Sequence, residues 1–280
     1  MNKLLTSACL MLLMLSGCAS HSGLNKDATA SSPENAQEAL KLAHILRDNA
    51  KYKAAYEVYE NMDKKHQLKD AYVLEYATVA ALVVPPSQAV MLFERAADTL
   101  KGHIEPEQQE AIDLGLGRAY LQLAQREEAS QYLHHALTIN PNNVSALNGL
   151  SVIANLNGHT KQARALLQKA IKIEPNNDMV LNNLAMTYLV TGETDRTIEL
   201  LHARRAGLSL SGKLNLALAY ILNERSDQAR KLLNLELPAD KTERVIAQFE
   251  QLRRRVQQGR PLATEIASLS QVPIQLEEEN

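Results

Sequence analysis

Eight histidines, two cysteines and one run of three arginines are the residues of this 280-residue chain best suited to chemistry, and their spacing limits what that chemistry is. The histidines stand at 21, 44, 66, 103, 134, 135, 159 and 202, and no two lie four apart as a ligand pair on one helix face would. His134 and His135 are adjacent and so point in different directions on a helix; a surface place suits them better than a metal site. Cys9 and Cys18 both lie near the N-terminus, which excludes a disulfide framework or a thiolate metal centre. No phosphate-binding loop, G-x-S-x-G or dinucleotide fingerprint occurs, and the Gly115-Leu116-Gly117 pair falls inside a helical pattern, where glycine permits tight packing. These features predict no catalytic residues, no metal, no cofactor and no small-molecule substrate. Arg253, Arg254 and Arg255, reinforced by Arg260, form the densest basic cluster. It reads either as a solvated helix face or as a contact for anionic lipid headgroups or an acidic partner.

Cys18 is the one thiol with a chemical context. Met1-Asn2-Lys3 is a short positive start, and the mostly apolar run from Leu4 to Leu15 is too short to span a bilayer but suits a secretory signal. The following Leu15-Ser16-Gly17-Cys18 resembles the bacterial lipobox, in which the cysteine is acylated and becomes the new N-terminus. An ordinary cleaved signal with an incidental cysteine is the alternative. Each buried CH₂ of an acyl chain contributes roughly 0.8 kcal/mol, so two or more chains anchor stably. Ala19-Ser20 carries no acidic residue after the cysteine, and by resemblance to known lipoproteins this implies the outer membrane, with the body in the periplasm.

The elements that follow are set by a period. Pro141 and Pro175 stand 34 residues apart, and Leu116-Gly117, Tyr120, Ala129, Leu133 and Ala136 recur as Leu150-Ser151, Ala154, Ala163, Leu167 and Ala170. That period, with a small residue beside Leu, a later Ala and a closing Pro, is the tetratricopeptide pattern. The expected fold is all-α: a right-handed superhelical solenoid of about six helix hairpins closed by a C-terminal capping helix. The expected boundaries are a lipoprotein signal peptide over 1–17, the lipidated Cys18 and a flexible tether over 18–35, and units 1–2 over 36–103. Units 3–6 then occupy 104–243, a capping helix 244–260 and a disordered tail 261–280. Hydrophobic content of 45% excludes global disorder, and a net charge of −2 argues against a nucleic-acid footprint.

In such solenoids the first helix of each hairpin lines a concave groove. Asn148 and Asn182 occupy equivalent groove positions, with Asn183 and Asn215 beside that register, and Met179 and Met186 offer an adaptable apolar floor. An asparagine amide carries both donor and acceptor and so could hold an extended peptide backbone of a protein partner. The alternatives are helix caps or pairing within the repeat.

Lys213-Leu214-Asn215-Leu216-Ala217-Leu218-Ala219-Tyr220, with Asp227-Gln228-Ala229-Arg230 and a Leu-Pro, is similar to the C-terminal repeat of the TadD family of Flp/Tad pilus assembly proteins. Asn182-Asn183-Leu184-Ala185 with Gly192-Glu193 looks like that family's preceding repeat. The resemblance implies an outer-membrane lipoprotein that binds the secretin or another pilus assembly component. A pilotin-like lipoprotein of another pilus, secretion or outer-membrane biogenesis machine fits the same residues. So does an adaptor of a periplasmic cell-wall enzyme. The anchor is testable alone: Cys18→Ser is expected to abolish acylation and to move the protein from the membrane to the soluble fraction on detergent-free fractionation. Unchanged partitioning would refute the lipid anchor.

Overall fold

The computed structural model describes residues 33–269, so the signal segment and Cys18 lie outside the described residues. Those residues form fourteen helices and no strand. Six hairpins follow in order: α1 (Pro33–Asp48) with α2 (Tyr52–Lys64), α3 (Ala71–Ala80) with α4 (Pro86–Leu100), and α5 (Pro106–Gln122) with α6 (Arg126–Ile139). Next come α7 (Val144–Leu156) with α8 (Thr160–Ile173), α9 (Asp178–Val190) with α10 (Thr194–His202), and α11 (Leu210–Leu222) with α12 (Ser226–Leu233). Two further helices, α13 (Ala239–Gln257) and α14 (Leu262–Leu269), close the described chain. The architecture is a tetratricopeptide-type helical solenoid. Each first helix packs on its own second helix, and each second helix also meets the first helix of the next hairpin.

Local sequence explains where the helices begin and end. Asn143 caps α7 by accepting a hydrogen bond from the Ala146 N–H at 2.8 Å, and Asn177 caps α9 from Met179 and Val180. Such a cap stabilises a helix by about 1 kcal/mol. Pro86 occupies the first turn of α4, where its missing N–H breaks no helical bond. Inside five of the hairpins the turn residue adopts a left-handed conformation, with φ from +56° to +78° at Ala50, Ala124, Gly158, Gly192 and Glu224. The last of these comes two residues early, because α11 starts 32 residues after α9 whereas α9 starts 34 after α7.

Packing follows the repeat. Ala129, Leu133, Ala136, Ala163, Leu167 and Ala170 are wholly buried. The alanines let two helices approach, and each buried leucine contributes about 1.5–3 kcal/mol relative to exposure. Glycine does the same job where even a methyl is too large. A Cβ on Gly117 or Gly149 would stand 2.7 or 2.8 Å from the Leu133 side chain, and one on Gly115 would stand 2.2 Å from the Phe93 ring.

Two boundaries differ from expectation. Helix α1 begins at Pro33, inside the anticipated tether, and α13 begins at Ala239, ahead of 244. Residues 262–269, anticipated as disordered tail, form a helix instead. Its order comes from tertiary contact: Ile266 and Glu265 are buried, so packing overrides the weak signal of a short segment after Pro261.

Gly115→Ala is expected to lower the urea midpoint by the equivalent of about 1–3 kcal/mol, because the added methyl overlaps the Phe93 ring. Most of the loss should return in a Gly115→Ala, Phe93→Leu double variant. An unchanged midpoint in the single variant would show that the ring has room to shift.

Candidate protein-binding groove

The first helices of successive hairpins lie side by side, with α7 against α9 and α9 against α11. On α7, Ser145, Asn148, Val152 and Asn155 are only partly covered, and Leu156 is exposed. On α9 the same holds for Asn182, Asn183, Met186 and Val190, with Met179 exposed. Both sets recur every three or four residues, so each is one open helix face, and the two faces adjoin. The structure thus brings Asn148, Asn182, Asn183, Met179 and Met186 onto one strip, whereas Asn215, also expected to face the groove, is buried on α11.

The asparagines do not stand free on that strip. The Asn183 Nδ2 donates to the Asn148 Oδ1 at 2.8 Å, and the Asn215 Nδ2 donates to the Asn182 Oδ1 at 2.7 Å. These are two rungs linking α7 to α9 and α9 to α11. The sequence reading offered a peptide contact, a cap or pairing within a repeat; what forms is pairing between neighbouring repeats, because residues 33 to 35 apart meet where first helices touch. Half of each pair is consumed. Among the described residues the Asn148 and Asn182 NH₂ groups donate no hydrogen bond, and these are the amides left for a ligand. A third contact was not anticipated: the Asn155 Nδ2 donates to the Thr187 Oγ1 at 2.8 Å, and that hydroxyl donates to the Asn183 carbonyl.

The basic cluster is not one face. Arg253 is half-buried toward Glu224, Arg254 is exposed and pairs loosely with Glu250, and the Arg255 Nε donates to the Glu265 Oε2 at 2.5 Å. Three consecutive residues on a helix point about 100° apart, which splits the run. A joint contact with lipid headgroups has no geometric support, and Arg255 is occupied within the chain.

Two features escaped the sequence reading. Glu75 on α3 accepts hydrogen bonds from the Arg47 guanidinium and the Tyr59 hydroxyl and lies 2.7 Å from the His44 Nε2, so one carboxylate joins α1, α2 and α3. Burial, followed by the bond to Glu75, pushes the Tyr59 hydroxyl well above its ordinary pKa. Toward the N-terminal half lies a cavity of about 290 Å³, lined by Thr78, Leu82, Phe93, Leu114, Gly115 and Arg118. Gly115 was legible as a packing glycine, but the hollow above it depends on three helices at once.

Among the described residues no group of three His, Cys, Asp or Glu side chains is placed to hold a metal ion. None of the described helices is long and apolar enough to cross a membrane.

Comparison with known families places this geometry. Profiles described as tetratricopeptide repeat match residues 114–143, 144–177 and 166–199, covering the hairpins that carry the first asparagine rung. A tetratricopeptide repeat protein from Parabacteroides merdae superimposes with a TM-score of 0.59 at 17% identity, over 81% of this chain and 87% of that one. A MamA fragment from Desulfovibrio magneticus RS-1 does so with a TM-score of 0.51 at 12% identity, over 64% of this chain and all of that one. At those identities the likeness is one of fold. No curated protein matches the sequence. The chain therefore carries tetratricopeptide repeats in a solenoid of that fold, and such repeats point to protein–protein interaction.

The rungs can be weighed directly. A double-mutant cycle with Asn148→Ala and Asn183→Ala is expected to give a coupling energy of about 0.5–1.5 kcal/mol in urea denaturation. Additive losses would mean that the rung is not formed in solution.

Proposed function

We propose that the chain is a lipid-anchored periplasmic scaffold on the outer membrane that binds a protein partner during assembly of the Flp/Tad pilus secretin, without catalysis of its own. The observation that carries the binding role is the open strip across α7 and α9. It combines exposed or half-exposed Met179, Met186, Val152 and Leu156 with unspent amide donors on Asn148 and Asn182. Apolar floor and directional donors together suit a polypeptide better than a small polar metabolite.

The place and the machine rest on sequence. The lipobox-like Leu15-Ser16-Gly17-Cys18 supports a membrane anchor, and the run from Lys213 to Tyr220 supports the pilus family. That run is helix α11, nearly all of it buried, with Lys213 itself held by Glu236 at 2.5 Å. What the resemblance carries is thus the packing of the last repeat, and it gains force only in combination with the anchor. A secretin is a natural client, since its subunits must reach the outer membrane before they assemble there.

A deletion strain is expected to lose the heat-resistant secretin multimer from outer-membrane fractions and to lose surface pili, with both restored by the intact gene. Normal multimers and normal pili in that strain would sink the assignment.

A further inference from the structure

The last described helix breaks the rule that every other helix obeys. In each of the six hairpins the second helix touches its own first helix and the first helix of the next hairpin. Were α14 the second helix of a seventh unit, it would meet α13 and nothing behind it. Instead it packs against α13 and against α9, the first helix of the fifth unit. It therefore lies on the inner side of the solenoid, over the strip of first helices.

Helix α11 stands between α9 and α13. The open faces of α7 and α9 have no counterpart there: Asn215, Leu218 and Ala219 are all buried. Helix α14 presents Leu262, Ile266 and Leu269, spaced i, i+4, i+7, to the apolar cluster that also takes in Met186, Val190 and Leu214. Beside the middle of that stripe, the Glu265 carboxylate is buried and accepts from the Arg255 Nε at 2.5 Å and the Arg260 Nη1 at 3.3 Å.

We propose that α14 is a resident occupant of the inner face. The protein partner docks by replacing it with an amphipathic helix of the same pattern: apolar residues at i, i+4 and i+7, with a carboxylate just before the central one. This deepens the binding role argued above and rests on it. Three observations favour exchange over permanent closure. An eight-residue helix has little stability by itself, so α14 is helical because it is docked. Its link to α13 is a tight turn at Gly259, with φ +95°, followed by Arg260 and Pro261, so it can leave without opening any hairpin. When it leaves, the partly covered Arg255 loses its carboxylate, with the exposed Arg260 beside it, and this favours an acidic replacement.

Two measurements on the full chain test this. By native-state hydrogen exchange, the α14 amides should exchange at least tenfold faster than those of α11 and α13, as a locally opening segment does. Exchange in step with α11 would make α14 part of the core and overturn the proposal. In the second, a labelled synthetic peptide of the Gly259–Leu269 sequence is titrated into the native chain and into Ile266→Asp, whose own α14 has lost its central anchor. Binding should be at least tenfold tighter to the variant, and a peptide carrying Glu265→Lys should lose it. Equal binding to both proteins, or equal binding of the Lys peptide, would overturn the proposal. If Ile266→Asp loses its helical circular dichroism, the exchange measurement alone decides. Failure of either test leaves the pilus assignment standing, and normal pili in a deletion strain would leave the exchange of α14 untouched.

Discussion

Leu133 sits between the helices of two hairpins at a close approach, and the rest of the solenoid depends on that contact being possible. Its side chain is wholly buried between Gly117 of its own hairpin and Gly149 of the next, and a single carbon on either glycine would fall within 3 Å of it. A large residue on one helix demands hydrogen on the helices it faces. The same exchange of size recurs with Phe93 over Gly115. Because each leucine is shared by two hairpins, no hairpin can bury its apolar face alone, and the stack is the smallest stable object.

That constraint sets the inner surface as well. Side-by-side first helices bring positions about one period apart into contact, so polar residues there find each other before they find a ligand. The asparagine rungs are the result. They also hold α7, α9 and α11 in fixed register, which leaves the unspent amides of Asn148 and Asn182 in defined positions. A surface ordered in advance loses less conformational freedom on binding than one that must be arranged by its ligand. The polar cluster around Glu75 plays the fastening role at the other end, across α1, α2 and α3.

The hairpins were legible because their information is local and repeated. Ala129, Leu133 and Ala136 come back as Ala163, Leu167 and Ala170, and Asn143 and Asn177 announce the helices they cap. The strip carrying Asn148, Asn182, Met179 and Met186 was legible for the same reason, since helix period and repeat period together fix which face is open. What those asparagines do was not, because pairing across a repeat interface depends on interhelical distance, which no spacing in the sequence encodes. The three arginines left two readings open in the sequence, a solvated face or a joint contact; helical geometry sends Arg253, Arg254 and Arg255 to three different carboxylates. Helix α14 was the least visible element. Eight residues after a proline give one apolar stripe and no repeat partner to compare with, and its anchoring carboxylate finds one partner ten residues earlier on α13.

The inner face is therefore not uniform along the solenoid. Near α3 and α5 it is a small apolar hollow beside Arg118, across α7 and the part of α9 that carries Met179 and Asn182 it is an open strip with amide donors, and it is closed where α14 packs on α9 and at α11. Glu265 explains why closure at that end is selective. Burial alone would raise its carboxyl pKa, yet the hydrogen bonds and charges of Arg255 and Arg260 outweigh burial and hold it below the ordinary carboxylate value. A group with a depressed folded pKa stabilises its contact above the unfolded pKa and loses that contribution as pH falls through the folded value. At neutral pH the ion pair is intact. Once α14 opens, a segment that brings its own carboxylate holds the face better than one with apolar contacts alone. An apolar segment lacking an acid would reach the strip on α7 and α9 but would leave the partly covered Arg255 uncompensated at its end, and that penalty gives the groove a direction as well as a preference.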